Sequence, residues 1–153
     1  MLEYGRPRVT TRTVDAVKLS ADDRFDIIEL PGRYADALDT LAPEQLRDVF
    51  TDDAIWEFVG ALKLVGIQQI MEFMGRSDVH PGAHIMTNIY IASVVPDERG
   101  DGPLVHLSSR GIYPVGPSDR ENPTAVFYGR YDDDVVRTSI GWRIRHRRYR
   151  HGV

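Results

Sequence analysis

Three stretches of the chain carry side chains that can move a proton. Arg33-Tyr34-Ala35-Asp36-Ala37-Leu38-Asp39 sets a phenol and two carboxylates within two helical turns. His84-Ile85-Met86-Thr87-Asn88 offers an imidazole at the start of a strand-like run. Gly141 to Arg150 carries Arg143, Arg145, Arg147, Arg148 and Arg150. An elimination or enolisation needs a base that titrates near neutrality, and histidine is the side chain that starts there. Such a base is held in one tautomer by a carboxylate on its other ring N–H, which also stabilises the imidazolium. Asp39 is the candidate carboxylate for His84. The phenol of Tyr34 is a candidate donor to a leaving hydroxyl or an enolate oxygen. Arg147 is a candidate to neutralise a carboxylate, a thioester carbonyl or an enolate. None of this chemistry requires a metal or an organic cofactor.

Each residue also has a plain structural use. Asp39 can begin the turn at Thr40, since aspartate is a common turn residue. His84 can be a strand-end surface residue, and Tyr34 a core tyrosine with its hydroxyl satisfied. Strand alternation puts His84, Met86, Asn88 and Tyr90 on one face, which makes Asn88 and Met86 candidate substrate contacts. Trp56, Phe58 and Tyr128, on other strands, are the further candidates for the apolar wall. Alternation also sets Arg143, Arg145 and Arg147 opposite Trp142, Ile144 and His146. One face cannot hold three arginines in an apolar pocket. Most are therefore expected in solvent, paired with Asp132 to Asp134, or at a subunit interface.

The elements that must position these groups follow from length and pattern. The 153 residues fit one domain large enough to bury a core. Hydrophobic residues are 42% and charged residues 27% of the chain, as in ordinary globular proteins. The absence of cysteine removes disulfides, thiolate metal sites and a cysteine nucleophile. A net charge of −4 argues against nucleic acid or an anionic membrane as partner. No window reaches the ~20 apolar residues of a membrane span, and Met1 to Ser20 lacks a signal-peptide core. The expected location is cytoplasmic. His80, His106, His146 and His151 do not have the spacing of a metal site.

Residues 1–20 read as an extended arm, and residues 21–150 as a single domain. Ser20 and Asp23 have capping-box spacing and open a helix in which Phe25, Ile28, Tyr34 and Leu38 recur. Pro31-Gly32 predicts a kink or break between Ile28 and Arg33. Pro43 to Phe50 reads as a short helix facing Leu46, Val49 and Phe50 inward, ended by Thr51-Asp52-Asp53. Ala54 to Phe58 and Ala61 to Val65 read as a hairpin. Ile67, Ile70, Met71 and Met74 have helical spacing. Four strands follow: His84 to Val95, Leu104 to Val115, Thr124 to Arg137 with a bulge at Asp132 to Asp134, and Trp142 to Arg150. Helices first and antiparallel strands after make an α+β domain.

This order of words resembles the SnoaL-like branch of the nuclear transport factor 2-like superfamily. The words are Arg33 to Asp39, Phe50-Thr51-Asp52-Asp53-Ala54, Gly66, His84 to Asn88, Gly129-Arg130-Tyr131-Asp132-Asp133 and Gly141-Trp142-Arg143-Ile144. The resemblance implies a cone-shaped, cystatin-like α+β barrel: a curved antiparallel sheet around about three helices. It also implies a homodimer or homotrimer with an apolar small-molecule substrate, and no nucleic acid or membrane. Within the superfamily the chain is most similar to the dehydratase and dehydrochlorinase families. That similarity implies catalytic roles for Asp39, His84, Tyr34 and Arg147 in one pocket. The implied activity is a cofactor-independent lyase, dehydratase or isomerase working by His–Asp proton abstraction on a polyketide, terpenoid or steroid-like molecule. The alternatives are a polyketide cyclase or epoxide hydrolase with an aspartate base, or a non-catalytic binding module.

Overall fold

Ser20 caps the first helix: its hydroxyl accepts the Asp23 N–H at 3.0 Å while its own N–H donates to the Asp23 carboxylate at 3.1 Å. This reciprocal box satisfies two amides that the first turn leaves open. A computed structural model describes residues 18–76, 83–100, 102–115 and 125–153. The expected arm over residues 1–20 therefore lies outside the described residues up to residue 17, and so does His80.

Helix α1 runs without interruption from Ala21 to Asp39, through Pro31. The expected break is absent. Proline removes one backbone hydrogen bond, whereas Ile27, Leu30, Pro31, Tyr34 and Leu38 are all buried along this helix. Packing of that stripe outweighs the local cost. Tyr34 and Leu38 of the expected stripe are buried and Ile28 is half-buried, but at the start of the helix Phe25 is exposed and Ile27 points inward instead.

A 3-10 helix over Pro43–Asp48 follows and buries Leu46, and just beyond it Val49 and Phe50 are buried as well. Thr51 to Asp53 do not end this helix; they belong to strand β1, Phe50–Phe58. Strand β2, Leu62–Val65, and helix α2, Ile67–Met74, come next, with Ile67, Ile70 and Met74 buried. Strands β3, Ile85–Pro96, β4, Pro103–Val115, β5, Ala125–Thr138, and β6, Gly141–His151, complete the chain. They form one open six-stranded sheet in the order β2-β1-β6-β5-β4-β3. All pairs are antiparallel except β1 with β6, which is parallel. The helices cover one face of this curved sheet, and the core lies between them.

Bulges decide which side chains face that core. In β3, Asn88 and Ile89 oppose the single Ser109, and Ala92 is an extra residue between Ile91 and Ser93. In β6, Arg145 is extra between Ile144 and His146. Each insertion bends its strand and reverses the alternation beyond it. The bulge expected within Asp132 to Asp134 is thus on the facing strand. Trp142 and Ile144 point inward before Arg145, and Arg147 and Tyr149 after it. Close ring packing explains two glycines. A Cβ on Gly129 would collide with the Tyr149 ring and the Arg150 carbonyl, and one on Gly111 would lie 2.8 Å from the Tyr131 ring.

Candidate functional site

Asp39 is the last residue of α1. The chain then turns in a Schellman-type close, with Ala42 N–H donating to the Ala37 carbonyl at 2.9 Å and Leu41 N–H to that of Leu38 at 3.1 Å. Leu41 occupies the left-handed position of this turn, at φ 54°. The turn leaves the Asp39 carboxylate aimed at the residue before β3. There, one of its oxygens accepts the backbone N–H of His84 at 2.8 Å, and the other meets His84 Nδ1 at 2.5 Å. A carboxylate only accepts, so the proton of this contact is on Nδ1 and the lone pair of the neutral ring is on Nε2. The His84 side chain is nearly buried. Its ring packs beside Tyr113 of β4, with ring centres 5.4 Å apart.

Tyr34 and Arg147 lie deeper. Tyr34 is 1% exposed, and its hydroxyl faces Met74 Sδ at 3.7 Å. Arg147 is 0% exposed and is clamped by Asp133 through two bonds of 2.8 and 2.7 Å. Its guanidinium lies 4.3 Å from the Tyr34 ring centre and 4.8 Å from that of Tyr131. Burial pushes the Tyr34 phenol up to about 12, against the pull of Arg147. Burial also raises the Asp133 carboxyl, again opposed by Arg147. Arg147 Nη1 and Trp56 Nε1 are buried without a hydrogen-bond partner among the described residues. The four expected site residues are therefore found as two pairs, Asp39–His84 and Tyr34–Arg147. Arg147 is a core cation bound to a core carboxylate.

The candidate substrate contacts divide by sheet face. Met86 and Phe58 are half-buried against the core, Phe58 edge-on to Tyr149 at 5.2 Å, and Trp56 is buried beside Phe73. Asn88 and Tyr128 are corrections. Asn88 is exposed at the β3 bulge, with φ 50°, so it does not share a face with Met86. Tyr128 is 54% exposed and alternates with the buried Gly129 and Tyr131, which puts it on the outer face.

Sequence reasoning missed Tyr113 and Tyr149, and it placed Asp133 among the partners of the last strand's arginines without setting it in the core. The hydroxyls of Tyr113 and Tyr149 are in contact, and Tyr149 stacks on Tyr131 at 4.8 Å. A signal was available for Asp133: it recurs at i+2 from Tyr131 and i+4 from Gly129, on one strand face. The outer face takes the other charges. Arg148 binds Asp134 at 2.8 Å, Arg130 and Arg150 bind Asp132, and Arg145 grips Asp97 at 2.7 Å. A cleft of about 340 Å³ opens on that side, lined by Asp97, Arg145, His146 and Arg148 among others. Arg145 and Arg148 there are already paired, and the cleft is separate from His84.

Residues 20–148 match the SnoaL-like domain family. No curated protein matches the chain. A candidate aromatic ring hydroxylase from Novosphingobium aromaticivorans is 26% identical, with TM-score 0.68 over 89% of this chain and 93% of its own. A candidate scytalone dehydratase from the same organism is 20% identical, with TM-score 0.68 over 88% and 89%. The hexachlorocyclohexane dehydrochlorinase LinA-type3 from Novosphingobium barchaimii is 15% identical, with TM-score 0.67 over 88% and 92%. These last two share the fold. With a match that spans most of its length, the chain belongs to the SnoaL-like family, within the nuclear transport factor 2-like superfamily.

Proposed function

We propose that the protein is a lyase or isomerase for an apolar, oxygenated small molecule, with His84 as its base. The observation that carries this reading is the double hydrogen bond from His84 to the Asp39 carboxylate. It fixes ring and backbone together and leaves Nε2 to take a proton. In an elimination, Nε2 removes a proton from carbon, the C–H electron pair becomes the new double bond, and the leaving group departs with its own bonding pair. Asp39 stabilises the imidazolium that results. Tyr113 against His84, with Tyr149 beyond it, suits an apolar substrate. The family and the dehydratase and dehydrochlorinase neighbours support the same reaction class. Tyr34 and Arg147 pack against the Tyr131 ring, on which Tyr149 rests in turn.

The test is turnover. Apolar β-hydroxy and β-halo carbonyl compounds are screened for loss of water or halide by the wild-type protein. His84→Ala is then expected to slow the reaction by about 10²–10⁴ with the fold unchanged. Undiminished turnover in that variant would shift the reading to an aspartate-based cyclase or to a binding role.

A further inference from the structure

Proton abstraction beside a carbonyl puts negative charge on the carbonyl oxygen, and that charge needs a donor across from the base. Tyr34, the donor expected from the sequence, is sealed in the core with its hydroxyl on Met74. Tyr113 is differently placed. It is half-buried, its ring lies against His84, and its hydroxyl touches that of Tyr149. We propose that Tyr113, backed by Tyr149, donates a hydrogen bond to the substrate's carbonyl oxygen as His84 turns it into an enolate. This inference rests on His84 being the base, and it names the substrate class: an apolar compound with a carbonyl next to the reacting C–H.

The hydrogen-bond inventory favours this direction. Two hydroxyls in contact share one of their two protons, and the other is free to point elsewhere. Tyr149 has two further acceptors in range, the Tyr128 carbonyl at 3.5 Å and His151 Nδ1 at 3.3 Å. Both are long, so the Tyr149 proton is better used on the Tyr113 oxygen. That leaves the Tyr113 proton for a ligand. Burial raises the pKa of both phenols, so both remain donors in neutral solution. The pair is also rigid. Tyr149 is held between Phe58 and Tyr131 and lies over Gly129, where no side chain fits. A donor fixed before the reaction needs no reorganisation as charge develops. In the step itself the C–H proton goes to Nε2, the C–H electron pair forms the C=C bond, and the carbonyl π pair moves onto oxygen. Tyr113 is then a catalytic residue, and Tyr149 a positioning residue.

The experiment uses 2-naphthol, whose anion resembles an apolar enolate, with naphthalene as the control that lacks oxygen. Binding of both is measured by fluorescence to the wild type and to the Tyr113→Phe, Tyr149→Phe and His84→Ala proteins. The wild type is expected to prefer 2-naphthol. Tyr113→Phe is expected to cut that preference about tenfold, and Tyr149→Phe less, with naphthalene binding unchanged. Tyr113→Phe should also lower kcat on a carbonyl substrate by about 10²–10³. His84→Ala should keep the 2-naphthol preference and lose α-proton exchange. Equal preference in wild type and Tyr113→Phe, or none in the wild type, overturns this inference alone. Undiminished exchange in His84→Ala overturns the base reading alone.

Discussion

A carboxylate at the C-terminal end of a helix faces the negative end of the macrodipole. Asp39 sits there, and two hydrogen bonds from His84 offset the cost. Asp39→Asn replaces one acceptor oxygen with a donor, so the imidazole is expected to turn toward the Nε2–H tautomer. The ¹⁵N shifts of His84 would report this: Nδ1–H in the wild type, and Nε2–H or a mixture in the variant. Identical spectra would mean that Asp39 does not set the tautomer. Arg147 poses a different question. Its removal leaves Asp133 charged and unpaired in the core, so Arg147→Ala should destabilise by about 3–5 kcal/mol. Urea denaturation measures the loss, and replacing both Arg147 and Asp133 by apolar residues should recover most of it. A loss below about 1 kcal/mol in the single variant would show that Asp133 takes up a proton instead.

At the scale of elements, helix ends and bulges separate what was legible in the sequence from what was not. The capping box at Ser20 and the 67, 70, 71, 74 spacing are local signals, and local signals were readable. Asp39 and His84 were readable for the same reason, since each stands at the end of a recognisable element. Pro31 does not break the helix, because its cost is local while the packing that outweighs it is tertiary. Asn88 and the depth of Arg147 misled because alternation holds only between bulges, and a bulge at Arg145 or Asn88 has no fixed residue signature. Tyr128 misled for another reason, since β5 keeps a regular register against β4 that puts it on the outer face. Leu41 makes a test at this scale. A non-glycine residue in the left-handed region costs about 1–2 kcal/mol, and Leu41 is half-exposed with little packing to lose. Leu41→Gly should therefore raise stability by up to about 1 kcal/mol, after glycine's own entropy cost. A lower melting temperature in this variant would show that Leu41 packs more than its exposure suggests.

Across the whole molecule, the order of elements gave the α+β class, while strand order did not follow from it. The parallel β1–β6 pair joins the two halves of the sheet through pairs such as Trp56 with Arg147, far apart in the chain, a pairing that no local pattern encodes. A second long-range tie joins the chain's start to its last hairpin. Asp23 accepts the Trp142 indole N–H at 2.9 Å and pairs with Arg137. The Trp142 bond, then Ser20, holds the Asp23 carboxyl down to about 2, from an ordinary 3.8. A depressed carboxylate stabilises the fold above its unfolded pKa and stops doing so as pH falls through its folded pKa. The wild type should lose this stability between about pH 4 and pH 2. Asp23→Asn should melt lower than the wild type at neutral pH, with the gap closing over that window. A gap independent of pH would assign the tie to the hydrogen bonds alone.

The central claim is that His84, held by Asp39, takes the substrate proton. Its most direct test is chemical rescue of His84→Ala. With the fold confirmed by circular dichroism, α-proton exchange from a turned-over substrate is followed in that variant as free imidazole is added. The rate expected is about 10²–10⁴ below the wild type and rises with imidazole concentration. Exchange at the wild-type rate without imidazole would contradict it.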